Sequence, residues 1–190
     1  MSKVAIFASG SGSNAENIVN FFKGKSFNTE FRFFTNKKDA FVNQRAKKLG
    51  INITVFDKNE FYNTDKVLNE LIVGEYDIVV LAGFLWLIPE GLVKAFKGRI
   101  VNIHPALLPK YGGKGMYGKK VHEAVVANSD SETGITIHMV DERYDEGKVL
   151  FQKACKVDKG DSAEDVEQKV HALEYKYYPV VIEKLLNDLL

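Results

Sequence analysis

Short apolar runs that alternate with segments of helical periodicity constrain the fold of this chain more than any other feature. Through the first half, the apolar runs fall at residues 4–8, 31–36, 51–56 and 76–84. The segments between them carry apolar residues three and four positions apart, which is the spacing of one helix face. Residues 76–84 show no alternation of apolar with polar residues, as is typical of a strand covered on both faces. This order predicts a doubly wound, mostly parallel α/β sheet.

The second half of the chain has a different texture. After a glycine-rich loop and a short helix, alternating strands are predicted at 134–140 and 148–157, followed by a last helix. Ser162 and Asp165 form a capping pair for that helix, and Pro179 is expected to kink or end it. We therefore expect antiparallel C-terminal strands and a C-terminal helix after the parallel part of the sheet.

Composition and charge limit the classes of partner. The 190 residues carry 26 Lys or Arg and 25 Asp or Glu, interleaved along the chain, for a formal net charge of +1. A nucleic-acid-binding protein usually shows a basic stripe, so we expect small-molecule substrates and no nucleic acid. No apolar run reaches the ~20 residues that span a bilayer, and we expect no membrane partner. No repeat or linker divides the chain, so we expect a single domain over residues 1–190, as a monomer or weak homodimer.

The N-terminal segment and the cysteine content bear on location. The start, MSKVAIFASGSGSN, has only five apolar residues before a polar glycine loop, which is too few for the apolar core of a secretory signal. The single cysteine, Cys155, excludes an intramolecular disulfide and fits a reducing compartment. We therefore expect a cytoplasmic protein in which Cys155 packs within its strand.

The segment SGSGSNA, residues 9–15, joins the first strand to the first helix. Gly10, Gly12 and Ala15 match the dinucleotide-binding pattern G-x-G-x-x-A, which also expects an acidic residue at the end of the second strand. That strand ends in FFTNKK here, and the nearest acid, Asp39, follows two lysines. Hydroxyl and amide donors at the start of a helix favour the phosphate of a small substrate instead. A dinucleotide site and a tight turn without a ligand are the alternatives.

Asn102 and His104 lie two residues apart at the end of the apolar run RIVNIH, directly before Pro105. Side chains two apart on a strand project from the same face, and sites in open α/β sheets lie at the carboxyl ends of strands. An amide donor and an imidazolium can together stabilise an oxyanion and supply a proton. The alternative is a purely structural histidine.

Acidic residues follow the first of the two alternating strands, and they are Asp141, Glu142, Asp145 and Glu146. A carboxylate that faces His104 would raise the pKa of the imidazole. Spacing does not choose among the four, and a solvated acidic turn is the alternative. His122 and His138 show no metal-ligand spacing with His104, so we expect no metal site.

Four motifs together resemble the folate-dependent formyltransferase superfamily. They are ASGSGSN near the start, VLAGF in the middle, NIHPALLPKY and DERYDEGKVL, and the resemblance runs from about Lys3 to about residue 180. The Asn-x-His-Pro-x-Leu-Leu-Pro element is highly specific to the superfamily. The S-G-x-G-S-N loop resembles the branch that acts on glycinamide ribonucleotide.

The resemblance implies a Rossmann-like formyltransferase fold, a reaction and a set of site residues. The implied reaction transfers a formyl group from the co-substrate 10-formyltetrahydrofolate to the amine of glycinamide ribonucleotide in purine biosynthesis, without a metal. His104 is the implied general acid, Asn102 its partner at the formyl oxygen, and Asp145 the carboxylate that raises the pKa of the histidine. The implied ribonucleotide contacts are Gly12, Ser13, Asn14 and Glu174. The implied folate pocket consists of Leu85, Trp86, Leu87, Ile88 and Asn102.

Other members of the superfamily are the first alternatives. Methionyl-tRNA formyltransferase normally carries an additional RNA-binding domain and formyltetrahydrofolate hydrolase a regulatory domain, and we expect neither here. Sugar-nucleotide formyltransferases share the Asn–His pair but, as a rule, not this phosphate loop. A catalytically silent binding protein on the same fold is a second alternative. The joint presence of Asn102, His104 and Asp145 argues against it.

Overall fold

The computed structural model describes residues 1–25 and 28–189, and the seven strands in this part of the chain form one sheet in the order β3-β2-β1-β4-β5-β6-β7. The strands are β1 (Ser2–Phe7), β2 (Thr29–Thr35), β3 (Ile53–Val55), β4 (Ile78–Leu81), β5 (Ile100–His104), β6 (Glu132–Met139) and β7 (Val149–Lys156). The helices are α1 (Ser13–Phe22), α2 (Val42–Leu49), α3 (Lys58–Tyr62), α4 (Lys66–Val73), α5 (Glu90–Ala95), α6 (Lys119–Ala127) and α7 (Ala163–Leu189). The first five strands are parallel, and β6 and β7 are antiparallel. The predicted fold class is confirmed.

Both faces of the sheet are buried, which explains the lack of alternation in the apolar runs. Along β1, Val4 and Ile6 belong to one core cluster, formed with α1, α2, α6 and α7. Ala5 and Phe7 point to the opposite face and belong to a second cluster, formed with α3, α4 and α5. Successive side chains of a strand alternate between faces, so a strand between two apolar layers must be apolar throughout.

The strand order reverses at β1, which lies between β2 and β4. The chain builds outwards from β1 to β2 and β3 on one side, and then returns to build β4 and β5 on the other. Connections on the two sides diverge, and a crevice opens at the carboxyl ends of β1 and β4. Ligands of open α/β sheets bind at such a switch point, so the fold itself indicates where a site should lie.

The short helix α3 is not predicted by the apolar pattern. Its N-cap, Asp57, accepts a hydrogen bond from the backbone N–H of Glu60, and the Glu60 side chain accepts one from the Asp57 N–H. This is a reciprocal capping box. The sequence signal was therefore present in D-x-x-E, although the helix is too short to show apolar periodicity.

The start of α7 carries the predicted cap. The Ser162 Oγ atom accepts from the Asp165 N–H at 3.2 Å, and Asp165 Oδ2 accepts from the Ser162 N–H at 2.9 Å. Although α7 extends over 27 residues, neither it nor any other helix in the described part of the chain is long and apolar enough to cross a membrane.

Of the two outcomes expected at Pro179, a kink or an end of the last helix, the end is wrong, because α7 continues through Pro179 to Leu189. A proline removes the N–H that would donate to the carbonyl four residues earlier, which here belongs to Tyr175. That carbonyl instead accepts a hydrogen bond from Nδ2 of Asn17 on α1, at 2.9 Å. The neighbouring Tyr178 hydroxyl is fully buried and donates towards the sheet. Tertiary contacts therefore hold the helix together where its own ladder is interrupted.

The Asn17 contact can be tested by a double-mutant cycle. Asn17→Ala removes the donor to the Tyr175 carbonyl, and we expect the free energy of unfolding to fall by about 1 kcal/mol. In a Pro179→Ala background the restored backbone N–H can donate to the same carbonyl, so the same substitution should cost clearly less. Urea denaturation of the four proteins measures both costs. Equal costs in the two backgrounds would contradict this role for Asn17.

Candidate active site

A cleft of about 630 Å³ opens at the carboxyl ends of β1, β4 and β5. This volume is typical of a site for a small molecule, and its position is the one that the reversal of strand order indicates. The lining comes from the loop after β1, the segment after β4, the end of β5, the loop before α6, the loop after β6, and α7. Sequence-distant segments thus converge on one cavity.

The loop after β1 presents backbone donors to the cleft. Gly12, the N-cap of α1, has a φ angle of 72°, and a Cβ atom there would lie 2.6 Å from Cγ2 of Val42, so only glycine fits. The N–H groups of Asn14 and Ala15 belong to the first turn and have no acceptor within the helix. Lys37, just after β2, lines the same cleft, where a dinucleotide site would call for an acid. This arrangement suits a phosphate monoester better than a dinucleotide.

Asn102 and His104 both line the cleft, as the alternation of β5 predicts. The His104 ring is buried, and its Nε2 atom lies 2.7 Å from the carbonyl oxygen of Tyr111. Because a carbonyl oxygen can only accept, Nε2 carries a proton. The nitrogen that can gain or lose a proton is Nδ1, which lies 3.6 Å from Oδ2 of Asp145. Of the four acids that spacing left open, Asp145 is the one that lines the cleft beside His104.

The two residues that face His104 have an unusual backbone conformation. Tyr111 has a φ angle of 58° and Asp145 one of 56°, and positive φ is uncommon outside glycine. The turn that carries Asp145 is closed against β6, since a Cβ atom on Gly147 would lie 1.8 Å from the carbonyl oxygen of Met139. Strained residues of this kind cluster at functional sites, where surrounding structure enforces them.

Burial dominates the proton equilibrium of His104. It lowers the pKa of His104 below the ordinary histidine value, and the charge of Asp145 and the Tyr111 carbonyl oppose it without cancelling it. Asp145 thus acts in the direction that the sequence predicts, but in the free protein burial outweighs its effect on the pKa of His104. Burial raises the pKa of Asp145, but two neighbouring histidines and the N–H of Gly113 lower it, and the net direction is down. At pH 7 the pair thus combines a largely neutral imidazole with an ionised carboxylate.

The predicted ribonucleotide contacts all line the cleft, and they are Gly12, Ser13, Asn14 and Glu174. Glu174 is only 4% exposed, and its Oε2 atom accepts from Nδ2 of Asn14 at 2.8 Å and from Nδ1 of His171 at 2.7 Å. The hydrogen bond to Glu174 raises the pKa of His171. These contacts join the start of α1 to α7 and hold a carboxylate next to the phosphate-type loop.

The predicted folate-pocket segment follows β4 and also lines the cleft, with Leu85, Trp86, Leu87 and Ile88 all contributing. The Trp86 ring centroid lies 5.8 Å from that of Phe61 and 5.9 Å from that of Tyr62. The Tyr62 hydroxyl donates to the Leu87 carbonyl oxygen at 2.8 Å, which fixes the segment. An aromatic and apolar wall of this kind can bind a flat heteroaromatic ligand.

Three histidines to which the sequence assigns no role also reach the cleft, and they are His122, His138 and His171. The signal for His138 lies in strand pairing, because it is directly opposite Asn102 in the β5–β6 pair. That register is set by the assembled sheet and is not visible in spacing along the chain. Within residues 1–25 and 28–189, no group of three or more His, Cys, Asp or Glu side chains is arranged to hold a metal ion.

Proteins similar to this chain include phosphoribosylglycinamide formyltransferases of a bacterium and a plant. A profile of the formyl transferase family matches residues 2–182. The phosphoribosylglycinamide formyltransferase of Bacillus subtilis is 37% identical over 98% of this chain and 96% of its own length. The chloroplastic phosphoribosylglycinamide formyltransferase of Arabidopsis thaliana is 43% identical, but this chain spans only 66% of its length. The crystal structure of glycinamide ribonucleotide transformylase 1 from Geobacillus kaustophilus matches with a TM-score of 0.88 at 34% identity, covering 98% of this chain and 99% of that one.

One substitution separates the effect of the Asp145 charge on the pKa of His104 from the effect of burial. Asp145→Asn removes the negative charge while keeping a residue that tolerates positive φ, and we expect the pKa of His104 to fall further. An NMR titration of the His104 imidazole measures the change. Glu146→Gln is the matched control, because it removes an exposed carboxylate from the same turn. A His104 pKa that stays unchanged or rises in Asp145→Asn would contradict the assigned contact.

Proposed function

The chain belongs to the formyl transferase family, and we propose that it transfers a formyl group from 10-formyltetrahydrofolate to the amine of 5′-phosphoribosylglycinamide in purine biosynthesis. The observation that carries the proposal is a single cleft that combines a phosphate-type loop, an aromatic wall, and the side chains of Asn102, His104 and Asp145. The names of relatives that match this chain over nearly their whole length support the choice of substrates.

The acceptor would bind through its phosphate at the start of α1. Gly12, Ser13 and Asn14 supply backbone and side-chain donors there, and the partial positive charge of the helix N-terminus favours an anion. Lys37 adds a formal positive charge to the same cleft. Glu174, buried beside Asn14, offers its carboxylate to the amide or amine end of the glycinamide. The loop and the carboxylate together fit a molecule with a phosphate at one end and an amine at the other.

The donor fits the segment after β4 for a different reason. Leu85, Trp86 and Ile88 form an apolar and aromatic wall, which suits the flat pterin and benzoyl rings of a folate. When bound, 10-formyltetrahydrofolate supplies the formyl group. Asn102 lies in the same cleft as this wall and as His104, so both substrates have access to the same pair of polar side chains.

Asn102 is positioned to stabilise negative charge on the formyl oxygen. Attack of an amine on a formyl carbon shifts charge onto that oxygen, and a fixed N–H donor aimed at it lowers the barrier. Loss of one such donor in comparable sites costs roughly 3 kcal/mol. The amide of Asn102 is half-buried on a sheet strand, which limits the reorganisation needed during the reaction.

His104 and Asp145 accept and then donate the proton that moves during formyl transfer. His104 Nδ1 is largely unprotonated in the free protein, because burial lowers the pKa of the imidazole. The pair can therefore accept the proton that the amine loses on attack, and the ionised Asp145, 3.6 Å away, stabilises the imidazolium that results. His104 then donates this proton to the departing folate nitrogen. The positive charge on His104 comes from the substrate amine in this scheme.

A formyl-transfer assay tests the proposal directly. The assay measures, by absorbance, the loss of the formyl group from a 10-formylfolate donor. We expect this loss only when 5′-phosphoribosylglycinamide is present. His104→Ala should lower kcat by about 10²- to 10⁴-fold, the range typical of a lost general acid–base group. Glu146→Gln, at an exposed position, should keep the wild-type rate. Formate release without the ribonucleotide would favour a hydrolase, and inactivity of the folded protein under both conditions would favour a binding protein.

The phosphate loop makes a separate prediction about substrate affinity. Ser13→Ala combined with Asn14→Ala should raise KM for the ribonucleotide by about tenfold, equivalent to about 1.4 kcal/mol, with a smaller effect on KM for the folate. Asn20→Ala, at an exposed position of the same helix, is the control and should change neither value. Steady-state kinetics with each substrate varied in turn measures both constants. A change in KM for the folate alone would mean that the loop binds the other substrate.

A further inference from the structure

His138 is a buried histidine of the cleft that the chemistry described above does not use. It is 2% exposed and lies on β6, beside β5. We propose, on the basis of the proposed function, that His138 is a positioning residue: its Nε2 atom accepts a hydrogen bond from Asn102 and so fixes which end of that carboxamide faces the formyl oxygen.

The strand register brings the two side chains together. Asn102 and His138 are directly opposite in the antiparallel β5–β6 pair, and opposite residues project from the same face of a sheet. The Asn102 Nδ2 atom lies 3.1 Å from the His138 Nε2 atom. The β6–β7 pairing is irregular between Ile137 and His138, and irregularities of this kind often re-aim a side chain beside an active site.

A backbone carbonyl decides the tautomer of His138. Its Nδ1 atom lies 2.9 Å from the carbonyl oxygen of Met139. A carbonyl oxygen can only accept, so Nδ1 carries a proton, and a neutral ring then leaves Nε2 as an acceptor. The Asn102 atom that faces Nε2 must in turn be a donor, which is the amide nitrogen. The Met139 carbonyl therefore fixes the ring, and the ring fixes the amide.

The orientation of the amide matters because its two ends have opposite effects on a developing oxyanion. The amide nitrogen has two hydrogens, and one of them is directed at His138. Asn102 makes no other side-chain hydrogen bond with the described residues, so its second N–H is free for a ligand oxygen. Without the acceptor on His138, the amide can rotate by half a turn and present its carbonyl oxygen, which repels negative charge.

Asp145 is a second group that a proton on Nε2 of His138 would engage. Its Oδ1 atom lies 3.5 Å from His138 Nε2, while its Oδ2 atom faces His104. If Nε2 of His138 carried a proton, that proton would be directed at Asp145 or at a reversed Asn102 amide. Either contact would divert a group that the transfer needs. With its proton on Nδ1 and not on Nε2, His138 keeps Asn102 and Asp145 available to the substrate and to His104.

The tautomer can be measured without any activity. The chain has four histidines, so NMR of ¹⁵N-labelled imidazoles at pH 7 resolves each ring, and loss of one set of signals in His138→Gln identifies His138. We expect a proton on Nδ1 alone. A proton on Nε2 alone, or on both nitrogens, would overturn the proposal. This outcome is independent of whether the proposed reaction takes place.

Kinetics then test whether His138 acts through Asn102. His138→Leu should lower kcat by about 10- to 100-fold, as loss of an orienting partner does elsewhere, with KM for both substrates nearly unchanged. His138→Gln should keep most of kcat, because its amide oxygen can accept at the position of Nε2. In an Asn102→Ala background, His138→Leu should change kcat by less than about threefold, since groups that act as a unit are not additive.

A merely structural role gives a different pattern. Equal losses of kcat in the two backgrounds, or a His138→Gln variant as slow as His138→Leu, would overturn the proposal. Thermal unfolding of each variant identifies any that does not fold, and the tautomer measurement decides the question if His138→Leu is one of them. If the wild-type protein transfers no formyl group, the proposed function fails, and the tautomer still shows whether His138 orients the Asn102 amide.

Discussion

The reversal of strand order at β1 is the constraint on which the rest of the structure depends. β1 is paired with β2 on one side and β4 on the other, so the segments that leave β1 and β4 diverge and open a crevice between them. The donor loop that begins α1 and the apolar segment after β4 line the two sides of that crevice. β5 is the next strand along, and its carboxyl end brings Asn102 and His104 to the same opening. The polar side chains of the site therefore lie in a crevice that the strand order leaves open, outside the packed core.

The antiparallel strands β6 and β7 add further polar groups to the site that the parallel strands form. After α6, β6 adds to β5 in the opposite direction and brings His138 directly beside Asn102. The turn from β6 to β7 then carries Asp145 back over the cleft to His104. α7 packs on the sheet face that also carries α1 and α6, and it contributes Glu174. The polar groups of the site thus come from separate elements. Contacts with other elements hold each of them in place.

The sequence predicts those parts of the site that depend on local pattern. Parity along β5 is enough to bring Asn102 and His104 to one face, and the glycine loop is readable because its backbone must begin a helix. The sequence does not reveal the role of His138, because the pairing of Asn102 with a residue 36 positions later depends on the register of two strands. The continuation of α7 through Pro179 is hidden for the same reason, because the compensating donor, Asn17, lies on another helix. Tertiary contacts decide these features.

The protonation of His104 shows how two opposing effects on its pKa produce an imidazole that can accept a proton and then donate it. Burial lowers the pKa of the imidazole and Asp145 raises it, and burial prevails in the free protein. A ring held permanently charged would have no capacity for the proton of an attacking amine, and a buried ring without Asp145 could not retain that proton. The neutral state has a consequence for stability, because a histidine whose pKa is lowered by folding favours the folded state most above about pH 6.5. As the pH falls through the lowered pKa, the unfolded chain binds the proton more readily, and this contribution to stability is lost. The desolvation that leaves His104 free to act as a base therefore weakens the fold on the acidic side of neutrality.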